Sequence, residues 1–139
     1  MGATAIFWPM MAQVFLTYAI YIVVSSRRMA SVKEGKAKAD DFRIPVTDPA
    51  ASATAARNLS NQFELPVLFF AACLSLFVTG GAGSVAVLVA WGFVLARVAH
   101  SVIHVTSNRL RYRRPAFIVG FVLNFLLWGL LALHLAGVA

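Results

Sequence analysis

Arg57, Asn61 and Glu64 follow one another at i, i+4 and i+7 in the polar first turns of an otherwise apolar segment, and Arg97, His100 and His104 at i, i+3 and i+7 in the second half of another. At about 100° per residue, Arg57, Asn61 and Glu64 fall within roughly 60° of one another on one helix face, with Ser60 beside them. The second set likewise shares a face. Four more arginines follow it at once: Arg109, Arg111, Arg113 and Arg114. A charge at the centre of a membrane helix costs about 2.5 to 3.5 kcal/mol, so such groups are paired or functional. In the purely structural reading, Glu64 pairs with Arg97 or Arg57 as an in-membrane ion pair, and Asn61 and the histidines supply hydrogen bonds between helices. Charge counting goes further, because one carboxylate cannot neutralise two in-span arginines and the four of the adjoining turn. The excess is positive and calls for an anion. His100 and His104 at i, i+4 resemble a metal pair, but no third ligand is suitably spaced and the arginines repel a cation, so no metal is expected. No Ser/His/Asp order and no glycine-rich phosphate loop stands out.

These residues need spans to carry them. The chain has 139 residues, 60% hydrophobic and 12% charged, with mean hydropathy +0.80. So few charges do not cover a water-soluble surface, which excludes a soluble globular enzyme. At about 20 apolar residues per crossing, no room remains for an extramembrane domain. Four spans are expected in a single domain, at about 5–28, 55–79, 84–107 and 115–137, with a polar loop at about 29–54. The expected fold is an all-α transmembrane four-helix bundle. Pro66 is a possible bend in the second span, residues 79–83 form a glycine turn, residues 108–114 form a basic turn, and Pro115 stands where a helix prefers a first-turn proline.

Of the 12 Lys and Arg residues, ten lie in the first and third connections: Arg27, Arg28, Lys33, Lys36, Lys38 and Arg43, then Arg109, Arg111, Arg113 and Arg114. The positive-inside rule therefore places both connections in the cytoplasm and both termini in the periplasm or lumen. It also accounts for the net charge of +7 without a nucleic-acid partner. Cys73 reads as a small buried hydrophobe. The N-terminal apolar stretch has neither a basic n-region nor a cleavage pattern, so it is expected to be a retained span.

The sequence Arg57-x-x-x-Asn61-x-x-Glu64 opening a second span, Arg97-x-x-His100-x-x-x-His104 closing a third, and an arginine turn into a fourth resembles the MAPEG family. These are the membrane-associated proteins of eicosanoid and glutathione metabolism, including microsomal glutathione transferases, leukotriene-C synthase and the microsomal prostaglandin E synthase. The resemblance covers essentially the whole chain and implies a homotrimer, with glutathione as co-substrate bound between subunits near the cytoplasmic side. Carried over position by position, Arg57, Asn61 and Glu64 hold the carboxylates and amine of glutathione. Arg27 and Arg28 match a first-helix pair that reaches it from a neighbouring subunit. His100 occupies a position that is histidine or tyrosine in the family, His104 one that is commonly tyrosine, and one of Arg111, Arg113 and Arg114 stabilises the thiolate.

The implied activity is that of a membrane-bound glutathione transferase or peroxidase acting on lipophilic electrophiles, in a bacterial-type protein of the inner membrane with its site toward the cytoplasm. Ser60 replaces an arginine of some members and Phe117 a tyrosine of the prostaglandin synthase branch, which argues against a specific eicosanoid isomerase. Two rivals belong to other classes. One is a non-catalytic, lipid-binding member of the family; the other is a small transporter using Glu64 as a proton-coupled carboxylate. Compact multidrug transporters usually carry that acid in the first span, which here has none.

Overall fold

The computed structural model describes residues 2–43 and 48–138, and its regular structure is entirely helical. The α-helices are α1 (Phe7–Lys33), α2 (Ala50–Asn61), α3 (Leu65–Val78), α4 (Ser84–Val105) and α5 (Leu110–Leu135), with short 3-10 turns at Ala3–Ile6 and Ala39–Phe42. Four stretches are long and apolar enough to cross a membrane: Ala3–Lys33, Ala50–Val78, Ser84–Val105 and Leu110–Leu135. The shortest has 22 residues. At about 1.5 Å per residue it still spans the roughly 30 Å of hydrocarbon. The fold is thus a membrane four-helix bundle, in which α2 and α3 share the second crossing. The α1–α2 and α4–α5 connections lie at one end, the loop end, and the 79–83 turn with both chain ends lies at the other, the turn end.

The second crossing departs from the expected single helix over 55–79. It begins earlier, at Ala50, and stops at Asn61 before restarting at Leu65. Pro66 supplies the reason, since it has no N–H for the Gln62 carbonyl and its ring would collide with that carbonyl in a continuous helix. The chain instead tightens, with the Gln62 and Phe63 amides donating to Leu59 and Ser60 at 3.0 and 2.9 Å. The proline then sits in the first turn of α3, where it is tolerated.

Other boundaries shift as well. α1 continues past Arg27 and Arg28 to Lys33 and ends at Gly35, whose φ of 69° suits glycine. The Gly35 and Lys36 amides close that end onto the Val32 and Ser31 carbonyls at 3.1 and 2.9 Å. The loop expected over 29–54 is correspondingly shorter, and Pro45 within it lies outside the described residues. α5 starts at Leu110, so Pro115 is inside the helix rather than at its start. The Arg111 carbonyl that this leaves without a helical donor is at the loop end, within reach of interfacial water.

Burial is inverted relative to a soluble protein. Large apolar side chains such as Phe15, Ile22, Leu95 and Phe125 are exposed, as a lipid-facing surface requires, while Gln13, Asn58, Gln62, Arg97, His100, Ser101, His104 and Asn124 are buried. At the turn end and through the middle, Ile6, Phe69, Cys73, Leu76, Phe93 and Leu127 form an apolar core. Phe69 and Phe93 stack there with ring centroids 4.3 Å apart. A smaller cluster, Ile20, Val24 and Ala55, joins α1 to α2 near the loop end. Between the two clusters the interior is polar.

Candidate functional site

A cavity of about 350 Å³ opens at the loop end, lined by Arg57, Asn61 and Glu64 from the second crossing, His100 and His104 from α4, and Leu110, Arg113, Arg114 and Phe117 from α5. Its size is within the usual range of small-molecule sites. Five of the six residues in the two polar stripes therefore line it, Arg97 being the exception, and Glu64 arrives by a different route. Asn61 ends α2 and Glu64 lies in the break, just before α3, so Glu64 reaches the cavity from a turn rather than along a continuous helix face. Three arginines and one carboxylate give the walls a net positive charge. His100 is buried against Phe117 and His104, with ring centroids at 5.7 and 5.5 Å, and its Nδ1 has no hydrogen-bond partner among the described residues.

The basic turn is now resolved residue by residue. Arg113 and Arg114 line the cavity, and Arg111 does not. Arg113 is half-buried, and its guanidinium donates to the Asn108 side-chain carbonyl, which holds it at the mouth. Asn108 itself adopts φ 48°, a left-handed conformation that asparagine tolerates at a helix end. Arg111 is exposed and lies over the Tyr112 ring at 5.8 Å.

Arg97 corrects an expectation. Its side chain is completely buried, yet among the described residues no carboxylate is within ion-pair distance of it. It donates instead to the Asn61 carbonyl at 3.0 Å. The break explains the exchange: carbonyls at the end of α2 lack helical donors, and a cation near a helix C-terminus is favoured. Glu64 remains exposed and available to the cavity. The arginine stem passes Gly120 of α5, where an added Cβ would come within 3.6 Å of the Arg97 Cδ.

Arg27 and Arg28 do not line this cavity. Arg27 donates to Thr54 Oγ1 at 3.1 Å and to the Val105 carbonyl, tying α1 to α2 and α4. Arg28 grips Asp48 with two hydrogen bonds at 3.1 and 3.0 Å and lies over the Phe42 ring at 5.3 Å. Both guanidiniums are therefore engaged within their own chain, as ties for the loop end.

The polar residues that spacing missed are Gln13, Asn58, Gln62 and Ser101. Gln13 Nε2 donates to Gln62 Oε1 at 2.9 Å, and Gln62 Nε2 donates to Asn58 Oδ1 at 3.0 Å and Ser101 Oγ at 3.1 Å. Asn58 Nδ2 meets His104 Nδ1 at 3.2 Å. One signal was present in the sequence: Gln13 is the only amide side chain in the first span. Asn58 and Gln62 sit in a run so polar, RNLSNQFE, that composition cannot separate inward from outward positions.

A helical membrane bundle whose second, third and fourth crossings enclose an arginine-rich cavity at one end defines a narrow class of protein. The sequence profile of the MAPEG family matches residues 5–133, and the chain belongs to that family. Comparison with curated proteins and with solved structures returned no match.

Proposed function

We propose that the protein is a membrane-bound glutathione transferase or peroxidase acting on lipophilic electrophiles. The carrying observation is the cavity itself, where Arg57, Arg113 and Arg114 face a single carboxylate, Glu64. Glutathione has two carboxylates and one ammonium, so a site rich in guanidinium with one acid matches its charges. In this reading Arg57 and Asn61 take carboxylate oxygens, Glu64 takes the ammonium, and His100 and His104 contact the peptide. Arg113 is the first choice for thiolate stabilisation, since it is half-buried at the mouth while Arg111 points away. A free thiol has a pKa of about 8.5, and a neighbouring guanidinium increases its reactive thiolate fraction at neutral pH.

In conjugation, the thiol proton leaves to solvent, the thiolate forms a carbon–sulfur bond, and the leaving group departs with its electron pair. In peroxide reduction, one glutathione takes the terminal oxygen and releases the alcohol; a second then yields the disulfide and water. Lipid-facing helices would deliver hydrophobic substrates to such a site. The reading also includes a homotrimer in a bacterial inner membrane with the loop end in the cytoplasm, in keeping with the arginines and lysines gathered there. Arg27 and Arg28, which hold partners within their chain, are then ties rather than reaching arms.

The test is a thermal-unfolding titration of the detergent-purified protein with reduced glutathione, beside an Arg57→Ala, Glu64→Ala double variant. Ligand at about 100 times its Kd should stabilise the wild type by about 2.7 kcal/mol. The shift is expected to grow with the logarithm of glutathione concentration above Kd in the wild type and to vanish in the variant. No shift at millimolar glutathione would defeat the proposal and favour the lipid-binding alternative, to be sought as co-purified lipid.

A further inference from the structure

His104 lines the cavity, while its Nδ1 is turned inward to Asn58 Nδ2 at 3.2 Å. Behind Asn58 lies a relay of buried amides: Gln13 Nε2 donates to Gln62 Oε1, and Gln62 Nε2 donates to Asn58 Oδ1. Along it each amide donates to the next toward His104, and Gln62 Nε2 donates to Ser101 Oγ at 3.1 Å as well. Two features fix that direction. Gln62 Nε2 also faces the Asn58 backbone carbonyl at 3.5 Å, an atom that can only accept, so reversing the relay would set two oxygens against each other. The one unpartnered relay atom is an oxygen, Gln13 Oε1; reversal would bury the amide N–H groups of Gln13 in its place, and orphaned buried N–H groups are the rarer defect.

An amide nitrogen can only donate, so His104 Nδ1 accepts, and a neutral imidazole with one accepting nitrogen carries its proton on the other. No group among the described residues engages His104 Nε2. We propose that Asn58, oriented by Gln62 and Gln13, is a positioning residue that holds His104 as the Nε2–H tautomer and makes it a neutral hydrogen-bond donor to an anionic group in the cavity. Arg57, Arg113 and Arg114 line the same space, so an anion drawn to them meets a further, uncharged donor. That the anion belongs to glutathione rests on the function proposed above. The tautomer does not.

The experiment is a long-range proton–nitrogen correlation spectrum of protein labelled with 15N-histidine, with the His104 signals assigned by their loss in His104→Gln. The expected pattern is a protonated Nε2 and an accepting Nδ1 in the wild type. Asn58→Asp replaces the donor by a carboxylate that can only accept, so the proton should move to Nδ1, and the Kd for glutathione should rise about tenfold, the scale of one hydrogen bond to an anion. A wild-type His104 protonated on Nδ1 overturns the proposal, and this spectrum needs no variant to fold apart from the assignment control. An Asn58→Asp protein with the proton on Nδ1 and unchanged glutathione affinity also overturns it. A wild type that shows the Nε2–H pattern yet gives no thermal shift with glutathione upholds the tautomer while defeating the glutathione reading, so the two failures are distinguishable.

Discussion

The two ends of the bundle are held together by different physics. Toward the turn end, α3, α4 and α5 meet through hydrocarbon, with Phe69 stacked on Phe93 and Leu76 and Leu127 fully buried around them. Toward the loop end, the same crossings meet through amides, imidazoles and guanidiniums, and the second crossing is broken. Lipid offers helices no hydrophobic drive to associate, so contact there depends on close packing and hydrogen bonding. The apolar end uses the first and tolerates no void. The polar end uses the second, and a group withdrawn from its network leaves its hydrogen-bond partner unpaired. The contrast places the apolar core at one end and the candidate site at the other.

The strongest break in that division is Phe93→Ala. Removing a fully buried ring stacked on Phe69 should destabilise the protein by about 3 to 5 kcal/mol, read as a lower unfolding temperature. Its Kd for glutathione should stay at the wild-type value; a parallel loss of affinity would mean that the ends are not separable. Arg113→Ala is the converse change. Turnover of a lipophilic aryl halide should fall about 10²- to 10³-fold, as on removing one preorganised donor to developing charge, with little change in unfolding temperature. If Arg111→Ala had the larger effect, the choice of thiolate partner made from the cavity would be wrong.

Gln62→Leu addresses the network rather than the cavity wall. It leaves Gln13 Nε2 without an acceptor and Asn58 Oδ1 without a donor, and should cost about 1 to 3 kcal/mol of stability, the penalty of unpaired buried polar groups. Wild-type stability in this variant would show that the amides contribute only orientation. The smallest effect is expected at the rim, where Asp48→Asn weakens the bidentate contact with Arg28. Both partners are partly open to solvent, so the change should be within about 1 kcal/mol and should shrink further as salt is added.

The sequence was most informative where composition and charge act over long stretches. Hydropathy alone gave the number of crossings, because any run of some 20 apolar residues has few alternatives to spanning a bilayer. The grouping of Arg57 with Asn61 and of His100 with His104 was also legible, since helical spacing places residues on faces without reference to the rest of the fold, whereas Glu64 joins them from the turn that breaks the helix. Spacing misled at Arg97, where charge complementarity called for Glu64 and the interior provided a backbone carbonyl. It was silent on Gln13, Gln62 and Asn58, whose partners are separated by up to 49 residues.

What the amino-acid order settles without folding is therefore the solvent, the number of crossings and the sign of the charge at one end. Each follows from transfer free energies that sum along a segment. The choice among arginines 111, 113 and 114, the carbonyl to which Arg97 donates, and the amides behind His104 belong to the assembled bundle. They depend on a helix break only a few residues long and on contacts between distant segments. Hydrogen bonds are short and directional, so their partners are fixed only once the helices have packed.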